Sequence, residues 1–155
     1  MRFIVASDSH GKSQKLIDAV NAQAEASALF FLGDGEYDLQ ELHKIFPRLK
    51  IYAVAGNCDM RSNLPELGLV TIEGVKIMLT HGHRFAIKAS VGQLLTAAKE
   101  RGTQIALFGH THVPYCNYEN GVHLFNPGSI YEGSYGVIDI TGAGIFCFHC
   151  RTCSY

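Results

Sequence analysis

Short apolar runs alternate with amphipathic segments over the first third of the chain. The runs at 2–7, 28–32 and 51–54 predict buried strands that end at polar loops. Segments 12–25 and 37–46 carry apolar residues at helical spacing on one face, which predicts two helices between those strands. This alternation of strand and helix predicts a largely parallel sheet with helices on its faces.

The pattern changes in the second half of the chain. Segments 69–72 and 75–80 predict an antiparallel hairpin, and an amphipathic helix follows that ends near Gly102. Another buried strand is predicted at 105–108. The remaining residues, with glycine and asparagine at regular turns, predict three or four antiparallel strands.

Seven polar residues follow directly on predicted apolar strands: Asp8, His10, Asp34, Asn57, His81, His110 and His112. Because the carboxyl ends of the strands line one crevice in open α/β sheets, we expect these side chains to meet. Carboxylate oxygens and imidazole nitrogens together suit Mn²⁺, Fe²⁺, Zn²⁺ or Ni²⁺. The sequence therefore predicts a divalent metal site at this edge.

The spacing of the site residues leaves two arrangements open. In extended backbone, Asp8 and His10 point the same way, as do His110 and His112, whereas a turn would direct the members of each pair to different ions. Asp34 is the natural bridge, because a carboxylate has two oxygens. Two bridged ions would supply a metal-bound hydroxide for attack on the phosphorus of a phosphate ester.

Composition narrows the class of protein. The 155 residues are 47% hydrophobic and 17% charged with a net charge of −1, which is typical of a globular protein. We expect one domain over residues 1–155, no obligate nucleic acid and no membrane span. Five cysteines without a secreted-scaffold context favour reduced thiols and a cytoplasmic location. Small acidic substrates stay possible because bound ions would add positive charge.

Each motif alone has a simpler interpretation. Asp8 or Ser9 would serve as a helix cap, and the glycines flanking Asp34 and preceding Asn57 are typical of turns. His83 either contacts phosphate beside His81 or is a polar loop residue. A zinc site at Cys147, Cys150 and Cys153 with His149 is a further hypothesis, but a terminal strand there would place alternate residues on opposite faces.

Taken together, the motifs resemble the calcineurin-like metallophosphoesterases, in particular their small single-domain phosphodiesterase branch. The resemblance covers almost the whole chain. It rests on Asp8-Ser9-His10-Gly11, Gly33-Asp34, Gly56-Asn57-Cys58-Asp59, His81-Gly82-His83, Gly109-His110-Thr111-His112 and Asn126-Pro127-Gly128-Ser129. It implies an α/β fold, a four-layer α/β/β/α sandwich with the metals above the strand ends.

The resemblance also implies how two divalent ions would be held. Asp8, His10 and His112 would bind one ion; Asn57, His81 and His110 would bind the other, with Asp34 between them. Mn²⁺ is the expected metal, and Fe, Ni²⁺ or Zn²⁺ also fit. The candidate catalytic residues are Asp34, Asn57, His83 and Cys58.

One position departs from the pattern of many larger relatives. They carry histidine after the Gly-Asn pair, where it is thought to protonate the leaving group, whereas this chain has Cys58. A thiol is a poor substitute for that histidine and near two cations would lose its proton or bind metal. Asp59 would normally orient that histidine. Here it is expected to serve only as a hydrogen-bond acceptor next to the metal ligands. We therefore expect a preference for good leaving groups, as in aryl phosphodiesters.

Three functions are compatible with this sequence. The first is a binuclear metal-dependent phosphodiesterase acting on a small phosphate ester. The second keeps the metals but acts as a phosphomonoesterase or a cyclic-nucleotide phosphodiesterase. The third is a non-enzymatic scaffold, as in a retromer subunit of this fold that has lost several ligands. Ligating residues at all seven positions favour the enzyme, and a homo-oligomer is possible.

Overall fold

The computed structural model describes residues 1–153, so the last two residues of the predicted 1–155 domain lie outside the described residues. Ten strands, three α-helices and one short 3-10 helix (His83–Phe85) are found in this range. In chain order the strands are β1 (Arg2–Ala6), β2 (Ala28–Phe31), β3 (Lys50–Ala53), β4 (Leu67–Ile72), β5 (Val75–Thr80), β6 (Ile105–Leu107), β7 (Tyr115–Glu119), β8 (Val122–Asn126), β9 (Ser134–Thr141) and β10 (Gly144–Arg151). The helices are α1 (Ser13–Ala22), α2 (Glu36–Ile45) and α3 (Gly92–Glu100).

The strands form two five-stranded mixed sheets. The first has the order β10-β9-β1-β2-β3, and the second has the order β4-β5-β6-β8-β7. In the first sheet β1, β2 and β3 run parallel, while β9 is antiparallel to both of its neighbours, β1 and β10. In the second sheet β5, β6 and β8 run parallel between two antiparallel edge strands.

Alternation along the strands assigns the layers. On β1, Phe3 and Val5 pack against the second sheet, whereas Ile4 and Ala6 pack against α1 and α2. On β5, Ile77 faces the first sheet and Met78 faces α3. Because successive side chains of a strand point to opposite faces, each sheet is covered on both sides. The four-layer α/β/β/α sandwich is therefore confirmed.

The simpler expectation from periodicity was wrong in one respect. It placed helices on both faces of one largely parallel sheet, but α1 and α2 cover only one face of the first sheet and the second sheet covers the other. The hairpin predicted at 69–72 and 75–80 is present in β4 and β5, and the strands predicted at the end of the chain include the antiparallel pair of β9 and β10. β8, expected to be purely antiparallel, pairs with β7 in that direction but runs parallel to β6.

The cysteines of β10 do not converge. Cys147 packs into the core between the sheets, where burial raises its pKa to about 12, and Cys150 packs on the helical side. Because these positions lie on opposite faces of one strand, a single zinc ion cannot bind both sulfur atoms. Within residues 1–153, no helix is both long and apolar enough to cross a bilayer.

Candidate metal centre

The polar residues that follow the central strands lie together at one edge of the sandwich. The loops that carry them are joined by backbone hydrogen bonds. The Asp8 amide donates to Gly33 O at 2.9 Å, and the His10 amide donates to Asp34 O at 3.2 Å. In the second sheet the Gly109 amide donates to His81 O at 3.0 Å. The edge is therefore built from loops that support each other.

Asp8 is the centre of one group of potential ligands. Its side chain is fully buried, and its Oδ1 lies 3.0 Å from His112 Nε2 and 3.7 Å from His10 Nε2. Its Oδ2 accepts hydrogen bonds from Ser7 Oγ at 2.5 Å and from the His110 amide at 3.2 Å. The ligand atoms of Asp8, His10 and His112 all lie within 4.8 Å of one another, a spacing suited to one ion.

Asp34 lies between this group and a second one. Its Oδ2 is 3.3 Å from His81 Nε2 and 4.0 Å from His10 Nε2. His81 Nε2 is also 3.9 Å from Asp8 Oδ1. Ligand atoms of Asp8, Asp34 and His81 form a second cluster within 4.8 Å, and those of His10, Asp34 and Cys58 form a third. Asp34 thus contacts both sides of the site.

The buried ring of His81 gives the clearest test of whether a metal fits. Its Nδ1 lies 2.7 Å from Leu32 O, and since a carbonyl only accepts, Nδ1 carries the proton. In the neutral imidazole Nε2 then carries the lone pair, and this atom is shielded from solvent and has no hydrogen-bond partner within residues 1–153. A buried polar atom without a partner costs about 1–3 kcal/mol. A divalent cation between Nε2 and the two carboxylates would supply that partner.

The remaining predicted site residues lie at different distances from His81. The ring of His110 is 5.1 Å from that of His81, and the ring of His83 is 5.6 Å from His81 and 6.2 Å from His110, measured between centroids. Asn57 is exposed, and its amide nitrogen donates to Cys58 Sγ at 3.4 Å. The structure thus brings the four strand-end histidines and His83 together, while the ligand role of Asn57 stays a prediction.

The charges of the site shift several pKa values. Burial alone would raise the pKa of Asp34, but His81 and the Cys58 amide outweigh it and hold that pKa well below its usual range. Burial opposes the charged form of His81, yet the carboxylates of Asp34 and Asp8 raise its pKa. Burial, followed by the charge of Asp34, raises the pKa of Cys58. These shifts describe two carboxylates and an imidazole in close electrostatic contact.

Two of the outer histidines shift in the opposite direction. Burial lowers the pKa of His83, and the positive charge of His81 lowers it further. The pKa of His110 is also lowered, first by burial and then by the positive charges of His81 and Lys88. Low pKa values favour neutral imidazoles, which is the form that binds metal.

Asp59 holds two of the site loops together. Its Oδ2 accepts from the amides of Asp34 at 2.7 Å and Gly56 at 2.8 Å, while its Oδ1 accepts from the amides of Gly35 at 2.9 Å and Glu36 at 3.0 Å. The carboxylate also lies at the beginning of α2, where negative charge is favourable. Instead of orienting a neighbouring histidine, Asp59 positions the backbone that carries Asp34.

Sequence reasoning missed the positioning role of Asp38, and it named Asn126 only as part of a motif. Asp38 of α2 is buried, and its Oδ2 accepts from Ser9 Oγ at 2.5 Å and from the Gly11 amide at 2.9 Å, so it holds the loop of Asp8 and His10. Asn126 donates through Nδ2 to Gly109 O at 2.9 Å, in the loop of His110 and His112. Asp38 lies in the first turn of α2, four residues after Asp34, and only that spacing could have indicated it.

Close backbone packing explains why glycine is required at position 33, beside Asp34. A Cβ on Gly33 would lie 2.4 Å from the amide nitrogen of Gly56, and Gly33 has φ of +95°. Both conditions exclude a larger residue there. Five of the candidate ligands also adopt positive φ angles, which are uncommon outside glycine: Asp8, His10, Asp34, His110 and His112. Such backbone strain is concentrated at functional sites in proteins.

Comparison with known proteins identifies the family. A family model described as a calcineurin-like phosphoesterase superfamily domain matches residues 1–142. The chain belongs to this superfamily. Its members bind divalent metals, in agreement with the clusters of potential ligands around Asp8 and Asp34.

Two curated relatives cover most of the chain. The probable metallophosphoesterase YsnB of Bacillus subtilis is 34% identical over 132 residues, which are 84% of this chain and 75% of YsnB. The phosphodiesterase YfcE of Escherichia coli K12 is 30% identical, with 90% of this chain and 88% of YfcE covered. This chain is thus similar to proteins named for phosphoester hydrolysis.

Two solved structures have the same fold. A conserved protein from Streptococcus pneumoniae, described as a predicted phosphoesterase, superposes with a TM-score of 0.85 at 29% identity, covering 97% of this chain and 89% of that one. Vps29 of Entamoeba histolytica, solved in complex with Zn²⁺, superposes with a TM-score of 0.75 over 98% of this chain and 99% of its own. Its identity is 21%, so this second likeness shows the fold alone.

Proposed function

We propose that this chain is a metal-dependent phosphodiesterase that hydrolyses a small phosphate ester. The observation that carries the proposal is the buried arrangement of Asp8, Asp34 and His81, whose ligand atoms lie within 4.8 Å and whose imidazole Nε2 has no hydrogen-bond partner among the described residues. Relatives named for phosphoester hydrolysis support the same reaction class, and the name of YfcE supports a diester.

Two ions would be held on either side of Asp34. Asp8, His10 and His112 would bind the first, for which the 3.0 and 3.7 Å separations around Asp8 Oδ1 are the support. His81 and His110, together with Asn57, would bind the second. Mn²⁺ is the proposed metal because the site mixes carboxylate oxygens with imidazoles, and Fe, Ni²⁺ and Zn²⁺ suit the same donors.

When bound, two divalent ions would acidify water and stabilise negative charge on a phosphoryl group. The residues of the chain would do the positioning. Asp59 holds the loop of Asp34 through amide hydrogen bonds, and Asp38 holds the loop of Asp8. His83, whose pKa is lowered, would contact the ester as a neutral hydrogen-bonding side chain. Cys58, a thiol with a raised pKa beside Asp34, stands at the position where many larger relatives carry the proton-donating histidine.

Hydrolysis of bis(p-nitrophenyl) phosphate with Mn²⁺ tests the proposal. Asp34→Asn and His81→Ala are expected to lower the rate at least about a hundredfold, since each removes a ligand. Asp18→Asn on α1 is the matched control and is expected to keep the rate. Equal rates in all four proteins would contradict an enzyme. Faster hydrolysis of p-nitrophenyl phosphate than of the diester would assign a phosphomonoesterase instead.

A second candidate is a metal-binding scaffold without activity. The likeness to Vps29 over 98% of this chain supports it at the level of fold. The presence of ligating residues at all seven positions favours the enzyme. Stoichiometric metal binding by calorimetry, with no hydrolysis of either ester, would support the scaffold. A cytoplasmic location and a homo-oligomer stay predictions.

A further inference from the structure

A small cavity opens beside the candidate metal centre. It has a volume of about 270 Å³ and is lined by His83, Ala86, Ile87, Lys88, Ala89 and His110. His110 is also a predicted ligand, so the cavity and the metal centre share a wall. Sites for whole drug-sized ligands measure roughly 300–1,000 Å³, so this cavity is suited to one substituent of a substrate.

Lys88 supplies the charge of the cavity. The other cation of this segment, Arg84, is neutralised by Glu66, with Arg84 Nη2 donating to Glu66 Oε1 at 2.8 Å and a second contact through Nε. Lys88, in contrast, has neither a hydrogen bond nor an ion pair within residues 1–153. Its ammonium group is therefore available to a negatively charged ligand.

The backbone holds Lys88 close to the site. The preceding residue, Ile87, is buried, and its Cδ1 would lie 2.3 Å from a Cβ on Gly82, between His81 and His83. The segment turns at Ala86, which has φ of +49°, and the Ala89 amide donates to Ala86 O at 2.9 Å. The buried Ile87 on one side and the closed turn on the other limit how far the backbone of Lys88 can move away from the site.

We propose that this cavity binds a second anionic group of the substrate, a carboxylate or a phosphate, and that Lys88 is a specificity-determining residue. The inference rests on the proposed function, because it assigns the reacting phosphoryl group to the metals and the second anion to Lys88. The preferred substrate is then a phosphodiester whose alcohol part carries its own negative charge, in contrast to a simple uncharged aryl or alkyl ester.

Two p-nitrophenyl diesters that differ only by a carboxylate test this inference. The substrates are p-nitrophenyl ethyl phosphate and p-nitrophenyl 2-carboxyethyl phosphate, assayed with Mn²⁺. The unmodified chain is expected to favour the carboxylate ester by about three- to tenfold in kcat/KM, mainly through KM, as for a partly exposed ion pair. Lys88→Met removes this preference, and Lys88→Arg keeps it. Lys99→Met, on the exposed end of α3, is the matched control and keeps it as well.

A binding experiment separates this inference from the proposed function. Calorimetry on the Zn²⁺-loaded protein compares 3-phosphonopropionate with propylphosphonate, which lacks the carboxylate. Tighter binding of the carboxylate compound, lost in Lys88→Met, supports the subsite even if no ester is hydrolysed. Equal preference in the unmodified chain and Lys88→Met, in binding and in turnover, overturns the subsite and leaves the proposed function intact.

Discussion

The same strands build two very different regions, the core between the sheets and the edge where the strands end. In the core, Phe30 of β2 lies between the rings of Phe3 and Tyr52, with centroids at 5.5 and 5.3 Å. At the edge only a few residues away, Asp34 and His81 are as deeply buried, with exposed fractions of 3% and 0%. Burial of apolar rings stabilises the fold, whereas burial of charged groups without their ion costs free energy.

Backbone conformation separates the two regions as well. The strands of the core have extended backbone and regular pairing, while five candidate ligands at the edge have positive φ. The apolar core between the sheets therefore stabilises the fold, and this offsets the cost of burying charged groups and strained backbone at the edge. Four experiments test this difference between the core and the edge.

Phe30→Ala is expected to produce the largest loss. Because the ring is fully buried between the sheets, its removal lowers the free energy of unfolding by about 3–5 kcal/mol. Phe148→Ala is the matched control, since that ring on β10 is 48% exposed, and its loss should be less than half as large. Urea unfolding of both variants gives the comparison. Equal losses would show that the core between the sheets has no special role in stability.

Removal of metal is expected to destabilise the edge. An ion present at a hundred times its dissociation constant stabilises the native state by about 2.7 kcal/mol. Thermal unfolding with Mn²⁺ and with EDTA should therefore differ by several degrees. The difference should largely disappear in His81→Ala but persist in His123→Ala, whose ring contacts Tyr118 away from the site. Unchanged midpoints in the unmodified chain would contradict metal binding.

Asp59→Asn is expected to loosen the loops of the edge. An amide offers one acceptor oxygen and directs an NH₂ group at backbone amides, so part of the four hydrogen bonds is lost. The expected loss in unfolding free energy is about 1–3 kcal/mol, with weaker metal binding because Asp34 is no longer held. Glu25→Gln, on an exposed loop, is the control. Retained metal affinity would refute the positioning role.

The ion pair between Arg2 and Asp139 is expected to contribute least. Arg2 holds the pKa of Asp139 below its usual value through a hydrogen bond and its charge. Because the pKa of Asp139 is lower in the folded state, its contribution is present above the unfolded pKa near 3.9 and is lost as the pH falls through the folded value. Asp139→Asn should lower the thermal midpoint by about 2 °C at pH 7 and by less at pH 3.5. A constant difference would exclude the charge as its cause.

The family and the four layers were implied by the resemblance of the motifs, whereas the location of the edge was predicted from the strand ends themselves. A buried strand followed by a polar ligand-type residue is visible along the chain, and the order of such junctions carried the resemblance. Contacts between residues that are far apart in the sequence cannot be predicted in this way. Period-two patterns indicate that β8 is a strand but not that it runs parallel to β6. The acceptor role of Asp59 depends on four backbone amides from two loops, and no spacing along the sequence indicates it.

The position of β9 has a consequence for how the protein is made. The carbonyl of Asp8 accepts hydrogen bonds from Ser129 Oγ at 3.0 Å and from the Tyr131 amide at 3.1 Å, and β9 pairs with β1. The loop of Asp8, the first candidate ligand along the chain, is thus fixed only by residues about 120 positions later. Closing so long a loop is slow, and on a ribosome it requires most of the chain to have emerged. The loop of Asp8 is therefore expected to reach its final geometry only late in biosynthesis.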